Sequence, residues 1–462
     1  MVRIMLSFAV VTVLATQALA GGVICGLARL EGDDEIDEFA AELRARGPEG
    51  LKTAIGYRDL LAKAVAEIEA DLREPKVGAN DPMPTLVKAK KGSANMQRVI
   101  DKVAGQRDAQ VSRLFWYTDL QEAKDAAVET GKPILSLRML GKLTDEYSCA
   151  NSRFFRTALY SNQEISDYLR DNYVLHWQSV RPVPRVTVDF GDGRKLERTV
   201  TGNSAHYVLD AAGRPLEALP GLYAPQAFHE WLVRSKELAD RLAPSNDEGR
   251  FGMLLEYHAN RRNIVDEDLR AQLALFAPEL LKDDNAVKQT SALEPTAKPT
   301  AREASFRAVA KSAGEAPLLA PFLPSNETLL AQDNDLWRQI AARRSEQSQL
   351  DEASEQVIRR ENPDAEQAGL RAEGKWRQED PLVRMLENFE EALALDTVKN
   401  EYLLHRQIHD WFVSRDVPAA IDDFNEKVYA ELFLTPSSDP WLGLAPKDVY
   451  TALDRGGVSE AN

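Results

Sequence analysis

The sequence predicts an α/β domain, a mixed sheet flanked by helices with an added β-hairpin, set between all-helical regions on both sides. Three observations predict it. Between Leu114 and Leu238, short apolar runs alternate with stretches whose apolar residues recur at helical spacing. Two turns, Gly191-Asp-Gly193 and Ala211-Ala-Gly213, each separate a pair of strand-like runs. Beyond Leu242 the chain reads as helix or loop throughout, and the residues from Glu35 to Glu74 carry helical spacing only.

In chain order, Ile36, Phe39 and Leu43 mark one helix, and Leu61, Ala64, Ile68 and Leu72 mark another after Gly47-Pro48. Lys76 to Ala94, with Pro82, Pro84, Gly92 and the basic run Lys88-Ala-Lys-Lys91, reads as a solvated loop. Leu114-Phe-Trp-Tyr117 is a first strand, Leu120 to Glu129 a helix stopped by Gly131-Lys-Pro133, and Ile134-Leu-Ser-Leu137 a buried strand. One helix is expected from near Cys149 to Asp171, then the strand Tyr173 to Trp177. Val186 to Phe190 and Lys195 to Thr201 form the added hairpin, and His206 to Leu209 with Pro215 to Leu219 form a second. A helix from Pro225 to Leu238 closes the domain. Lys282 to Ser325, rich in Pro, Ala, Thr and Lys, reads as a flexible connection. After it, Asp380-Pro381 starts a helix with the stripe Leu382, Met385, Phe389 and Leu393, and Leu404, Ile408, Trp411 and Phe412 continue in the next. The resulting division is residues 1–20, 21–108, 109–240 (the α/β domain), 241–330 and 331–462.

At 462 residues, with 44% apolar and 28% charged side chains, the composition is that of an ordinary soluble protein. The balance of 57 basic to 73 acidic residues, a formal charge of −16, argues against general nucleic-acid binding, which needs cations to displace counterions. Residues 1–20 combine Arg3, an apolar run and Ala18-Leu19-Ala20, the parts of a secretory signal peptide cleaved before Gly21. Ile24 ahead of Cys25 argues against a lipid attachment site. No later segment is apolar enough to span a membrane, so the expectation is an exported, periplasmic or extracellular protein without a stable membrane span. An oxidising compartment permits disulfides, and a bridge between Cys25 and Cys149 is the plain alternative to any thiol chemistry.

The order from Trp116 onward, through "GKPILS", Cys149 at a helix start, "NYVLHW" and "GNSAHYVLDAAGRPLEALPGLY", resembles the thioredoxin-like superfamily, in particular its secreted bacterial members. The resemblance covers about residues 110–240 and implies a thioredoxin fold there. The family's dithiol motif is C-x-x-C. Here Cys149-Ala-Asn-Ser152 keeps the attacking cysteine and replaces the second by Ser152. The family's cis-proline position falls on Ser204, where a trans peptide is expected.

Cys149 and Ser152 are therefore the candidate site. A cysteine at a helix N-terminus has its thiolate stabilised by free N–H groups, and Arg153 and Arg156 add positive charge while Asp145 and Glu146 oppose it. One thiolate attacks a disulfide but needs an external thiol to finish, which allows monothiol exchange or isomerase chemistry on a protein thiol substrate. The alternative is an inactive thioredoxin-fold scaffold that binds a protein partner in the cell envelope. If Cys149 attacks, it is partly exposed with a pKa below the ~8.5 of a free thiol. His176 and His206 lie on strands near this site, with packing or hydrogen bonding as their expected roles. His405 and His409, four apart, have the spacing to share a metal, but no Glu follows the first and no third ligand is in view. They read as histidines bordering an apolar stripe, and the sequence assigns no metal and no cofactor.

Overall fold

A computed structural model describes residues 26–73, 83–199, 202–281, 327–363 and 381–440, apart from 28, 31 and 280. Expectations for residues 1–20, Cys25, the connector Lys282 to Ser325 and the Asp380 cap fall outside the described residues. The chain divides into two compact units, one ending at Phe115 and one beginning at Trp116.

The first unit is helical: α1 (Asp33–Arg44), α2 (Pro48–Arg73), α3 (Met83–Ala104) and the short α4 (Ala109–Ser112). Its core takes Ile36, Ala40 and Leu43 from α1, Leu51, Ala54 and Leu61 from α2, and Met96, Val99, Ile100 and Val103 from α3. The loop expected up to Ala94 is corrected from Met83 onward, which is α3. Its buried face runs Leu86, Ala89, Gly92 and Met96, one helical stripe, while the lysines around Ala89 occupy the other side. Pro84 is harmless because it sits in the first turn, where its missing N–H has no intrahelical partner anyway.

The second unit is built on a five-stranded sheet. Its elements are β1 (Trp116–Tyr117), α5 (Leu120–Thr130), β2 (Ile134–Leu140), α6 (Ala150–Phe154), α7 (Gln163–Asn172), β3 (Val174–Arg181), β4 (Arg185–Asp189), β5 (Lys195–Thr199), β6 (Ser204–Leu209), β7 (Pro215–Pro220) and α8 (Pro225–Leu242). The strand order is β1-β3-β2-β6-β7, with β4 and β5 pairing separately as the expected hairpin. β1 and β2 run parallel to β3, and β6 is antiparallel to both β2 and β7. Every residue of β2 is buried. Helices and loops cover both faces of this central strand, which is why Ile134 to Leu137 reads as an unbroken apolar run rather than an alternation.

Local chemistry sets the boundaries. Asp119 caps α5 by accepting from the Gln121 and Glu122 N–H groups, and Gly131 ends it at φ +69°. The single helix expected from Cys149 to Asp171 is two. α6 continues through a wider turn to Leu159, where Tyr160 N–H donates to the Phe155 carbonyl at 2.7 Å. Asn162 then restarts the chain as α7, its side chain accepting from Ile165 N–H.

After α8 come α9 (Asp247–Phe276), α10 (Glu327–Ala342), α11 (Glu352–Glu361), α12 (Pro381–Lys399), a wider turn over Asn400–His405, α13 (Arg406–Ser414) and α14 (Ile421–Lys427), with a last turn over Val428–Leu432. A second apolar core joins Val265, Leu269 and Leu273 of α9 to Trp337 and Ile340 of α10 and to Ala394, Val398 and Tyr402. The α12 stripe differs from expectation. Leu382, Leu386 and Leu393 are buried, while Met385 is exposed and Phe389 half-buried.

Candidate functional site

The chain reaches Cys149 by doubling back after β2. Gly141 turns at φ +75°, and a Cβ there would come within 3.3 Å of the Ser148 backbone, so the close return needs glycine. Cys149 N–H then donates to the Leu140 carbonyl at 3.2 Å, and α6 begins at the next residue. Cys149 sits at the helix start where the sequence places it, and Cys25, its expected alternative partner, lies outside the described residues. Cys149 is 0% exposed, whereas an attacking Cys149 is expected to be partly exposed. Ser152, also 0% exposed, turns its hydroxyl back to donate to the Cys149 carbonyl at 2.8 Å, serving the helix backbone. The two residues are thus brought together, as neighbours in one closed helical turn.

The carboxy-terminal residues close this end of the sheet. Arg138 of β2, 2% exposed, pairs with Asp422 at 3.0 Å. Tyr207 donates to the Asn425 side chain. Tyr429 donates its hydroxyl to the Asn203 carbonyl at 2.9 Å, and Asn203 donates to Thr435. Arg181, whose carbonyl accepts from Gly141 N–H, reaches the Thr435 and Asp439 carbonyls. Burial lifts the Tyr160 and Tyr429 phenols well above their usual range, and the charge of a nearby Cys149 thiolate would raise both further. Ser204, next to Asn203, is buried, and the described residues contain no cis peptide.

The neighbouring charges and histidines serve structure. Arg156 donates to the Leu143 and Asp145 carbonyls, and Arg153 reaches Thr199 of the hairpin. His176 shares a 2.8 Å hydrogen bond with Ser136, and burial pushes it down to about 3. His206 meets the Tyr160 hydroxyl at 2.6 Å, packs on Phe155 and Phe228, and is likewise pushed by burial to about 3. Both rings are neutral at ordinary pH.

A second cluster lies at the β7 edge. Glu217 of β7 is fully buried; its Oε1 accepts from Ala218 N–H and lies 3.4 Å from His405 Nε2. His405 Nδ1 faces the Glu401 carboxylate at 2.9 Å. Burial opposes its charge, but Glu401 and Glu217 outweigh that and lift it to about 9. His258 of α9 and His409 of α13, both 0% exposed, bring their Nδ1 atoms to 2.9 Å. Glu217, His258 and His409 each offer one donor atom, and the three atoms lie within 4.8 Å of one another, an arrangement with the reach to hold a metal ion. His405 and His409 are thus buried in a polar cluster. The sequence pair His405 and His409 is not the donor set. His409 is grouped with Glu217 and His258, which lie on other elements and which no local spacing signals. His405 instead bonds Glu217 and Glu401.

No family model, curated protein or solved structure matches this chain. Among the described residues no helix is long and apolar enough to cross a membrane.

Proposed function

We propose that residues 109–240 form a thioredoxin-like domain that acts as a non-catalytic scaffold, exported through the leader at residues 1–20 and bound to a protein partner in the cell envelope. The strand order β1-β3-β2-β6-β7, with the β4–β5 hairpin as an insertion, supports the thioredoxin-like reading. The observation that carries the scaffold reading is the complete burial of Cys149. A thiol attacks a disulfide in line and needs room for the sulfur of its substrate, and a 0% exposed Cys149 offers none. The absence of a second cysteine at Ser152 removes the resolving step as well.

Monothiol exchange is the second reading. It is favoured by the position of Cys149 at the start of α6, and it requires the carboxy-terminal segment to open. Incubating the full chain carrying Cys25→Ser with a small-molecule disulfide, followed by mass mapping, separates the two. The scaffold reading expects no mixed disulfide in the native protein and one at Cys149 after denaturation. A stoichiometric native adduct, lost in Cys149→Ser, would overturn it in favour of exchange.

A further inference from the structure

Glu217, His258 and His409 come from an edge strand and two helices. The interval between the two histidines is 151 residues, so nothing in the local sequence requires them to meet. All three are 0% exposed. A carboxylate and two imidazoles are costly to bury unless their polar atoms are paired.

The hydrogen bonds fix which atoms are available. β7 is the last strand of the sheet, and the His258 Nε2–H donates to the Leu216 carbonyl on it at 3.0 Å. That bond puts the proton of a neutral His258 on Nε2 and leaves the Nδ1 lone pair facing His409 Nδ1. Ligating histidines are commonly held this way, one ring nitrogen tied to a backbone carbonyl and the other on the metal. Glu217 is oriented similarly. Ala218 N–H and His405 take Oε1, while Oε2 is buried with no partner of normal geometry, although the Tyr257 hydroxyl lies nearby. If protons alone fill the cluster, His409 donates to His258 and its own Nε2 becomes a buried lone pair. That leaves His409 Nε2 without a partner and Glu217 Oε2 with no neighbour but the Tyr257 hydroxyl, outside normal hydrogen-bond geometry.

We propose that Glu217, His258 and His409 form a binding site for one divalent transition-metal ion, zinc in the first place, that pins β7 to α9 and α13. Two imidazoles and one carboxylate suit zinc, whereas magnesium and calcium prefer all-oxygen sites. With bonds of about 2.0–2.1 Å, neighbouring donors around a tetrahedral zinc lie about 3.3 Å apart. The 2.9 Å between the imidazole nitrogens is within a few tenths of an ångström of that spacing. Because all three ligands are fully buried, the ion is structural: it has no open face for a substrate.

The test uses the untagged full chain, stripped with a chelator, shown to be folded by circular dichroism, and titrated with zinc against a chromogenic competitor. One zinc per chain is expected, with a rise in the unfolding temperature that grows with free zinc. Cobalt substitution should give the visible absorption of a four- or five-coordinate ion. Glu217→Gln, His258→Gln and His409→Gln should each weaken zinc binding at least about tenfold. A stripped, folded wild-type chain that takes up no zinc at micromolar concentration overturns the site. So does zinc binding that folded variants of these residues leave unchanged. If a variant fails to fold, the wild-type stoichiometry and the cobalt spectrum decide.

Discussion

Asp101 of α3 accepts a hydrogen bond from Ala109 N–H at 2.9 Å, yet burial outweighs that bond and lifts its carboxyl to about 7. The folded value lies above the ordinary 3.8, so folding favours the protonated form. The contribution of Asp101 to stability is therefore fully present below about pH 4 and is lost as pH rises through 7. Thermal unfolding of the first unit should show it less stable at pH 8 than at pH 5 on this account, and Asp101→Asn should flatten that difference. An unchanged slope in the variant would assign the pH dependence elsewhere. Residue-scale features of this kind were only partly legible. Cys149 was readable as a helix-start cysteine because Gly131-Lys-Pro133, the β2 run and the following helix are local signals. Its burial was not, because the residues that tie down that end of the sheet, Asp422 to Asp439, lie more than 250 positions further along. The Glu217 cluster was illegible for the same reason: its donors belong to three elements that only the fold brings together.

Among the elements, α14 and the turn after it hold the closure over the Cys149 end. Tyr429 is their central anchor, its hydroxyl donating to the Asn203 carbonyl inside the protein. Tyr429→Phe keeps the ring and strands that carbonyl, which should cost about 1–3 kcal/mol. The variant should let a small alkylating reagent reach Cys149 sooner than in the wild type. Equal labelling rates would mean that the segment does not gate the thiol. Elements were legible where one physical signal dominated. The β4–β5 hairpin was read from Gly191-Asp-Gly193, and both glycines adopt the positive φ that such a turn demands. α3 is hard to read from sequence because Lys88-Ala-Lys-Lys91 and two prolines mask the stripe Leu86, Ala89, Met96. The break after α6 leaves little trace in the sequence, because the wider turn ending at Tyr160 keeps the apolar spacing nearly helical and only the Asn162 cap marks the restart.

At the scale of the whole molecule, the mixed sheet with helices and an inserted hairpin follows from sequence patterns that are short in range. The function does not, because it turns on whether a carboxy-terminal helical region sits beside the α/β domain or closes it. Arg138, Tyr207, Asn203 and Arg181 each make a hydrogen bond or ion pair to that region, so the domain and its cover form one polar-linked assembly. The account therefore rests on Cys149 being closed off in the native state. The most direct test is the rate of alkylation at Cys149 near neutral pH, followed by peptide mass mapping across a denaturant series. The account predicts no measurable native labelling and a rate that climbs with denaturant as the protein opens. Native labelling at the speed of an exposed thiol, insensitive to denaturant, would contradict it.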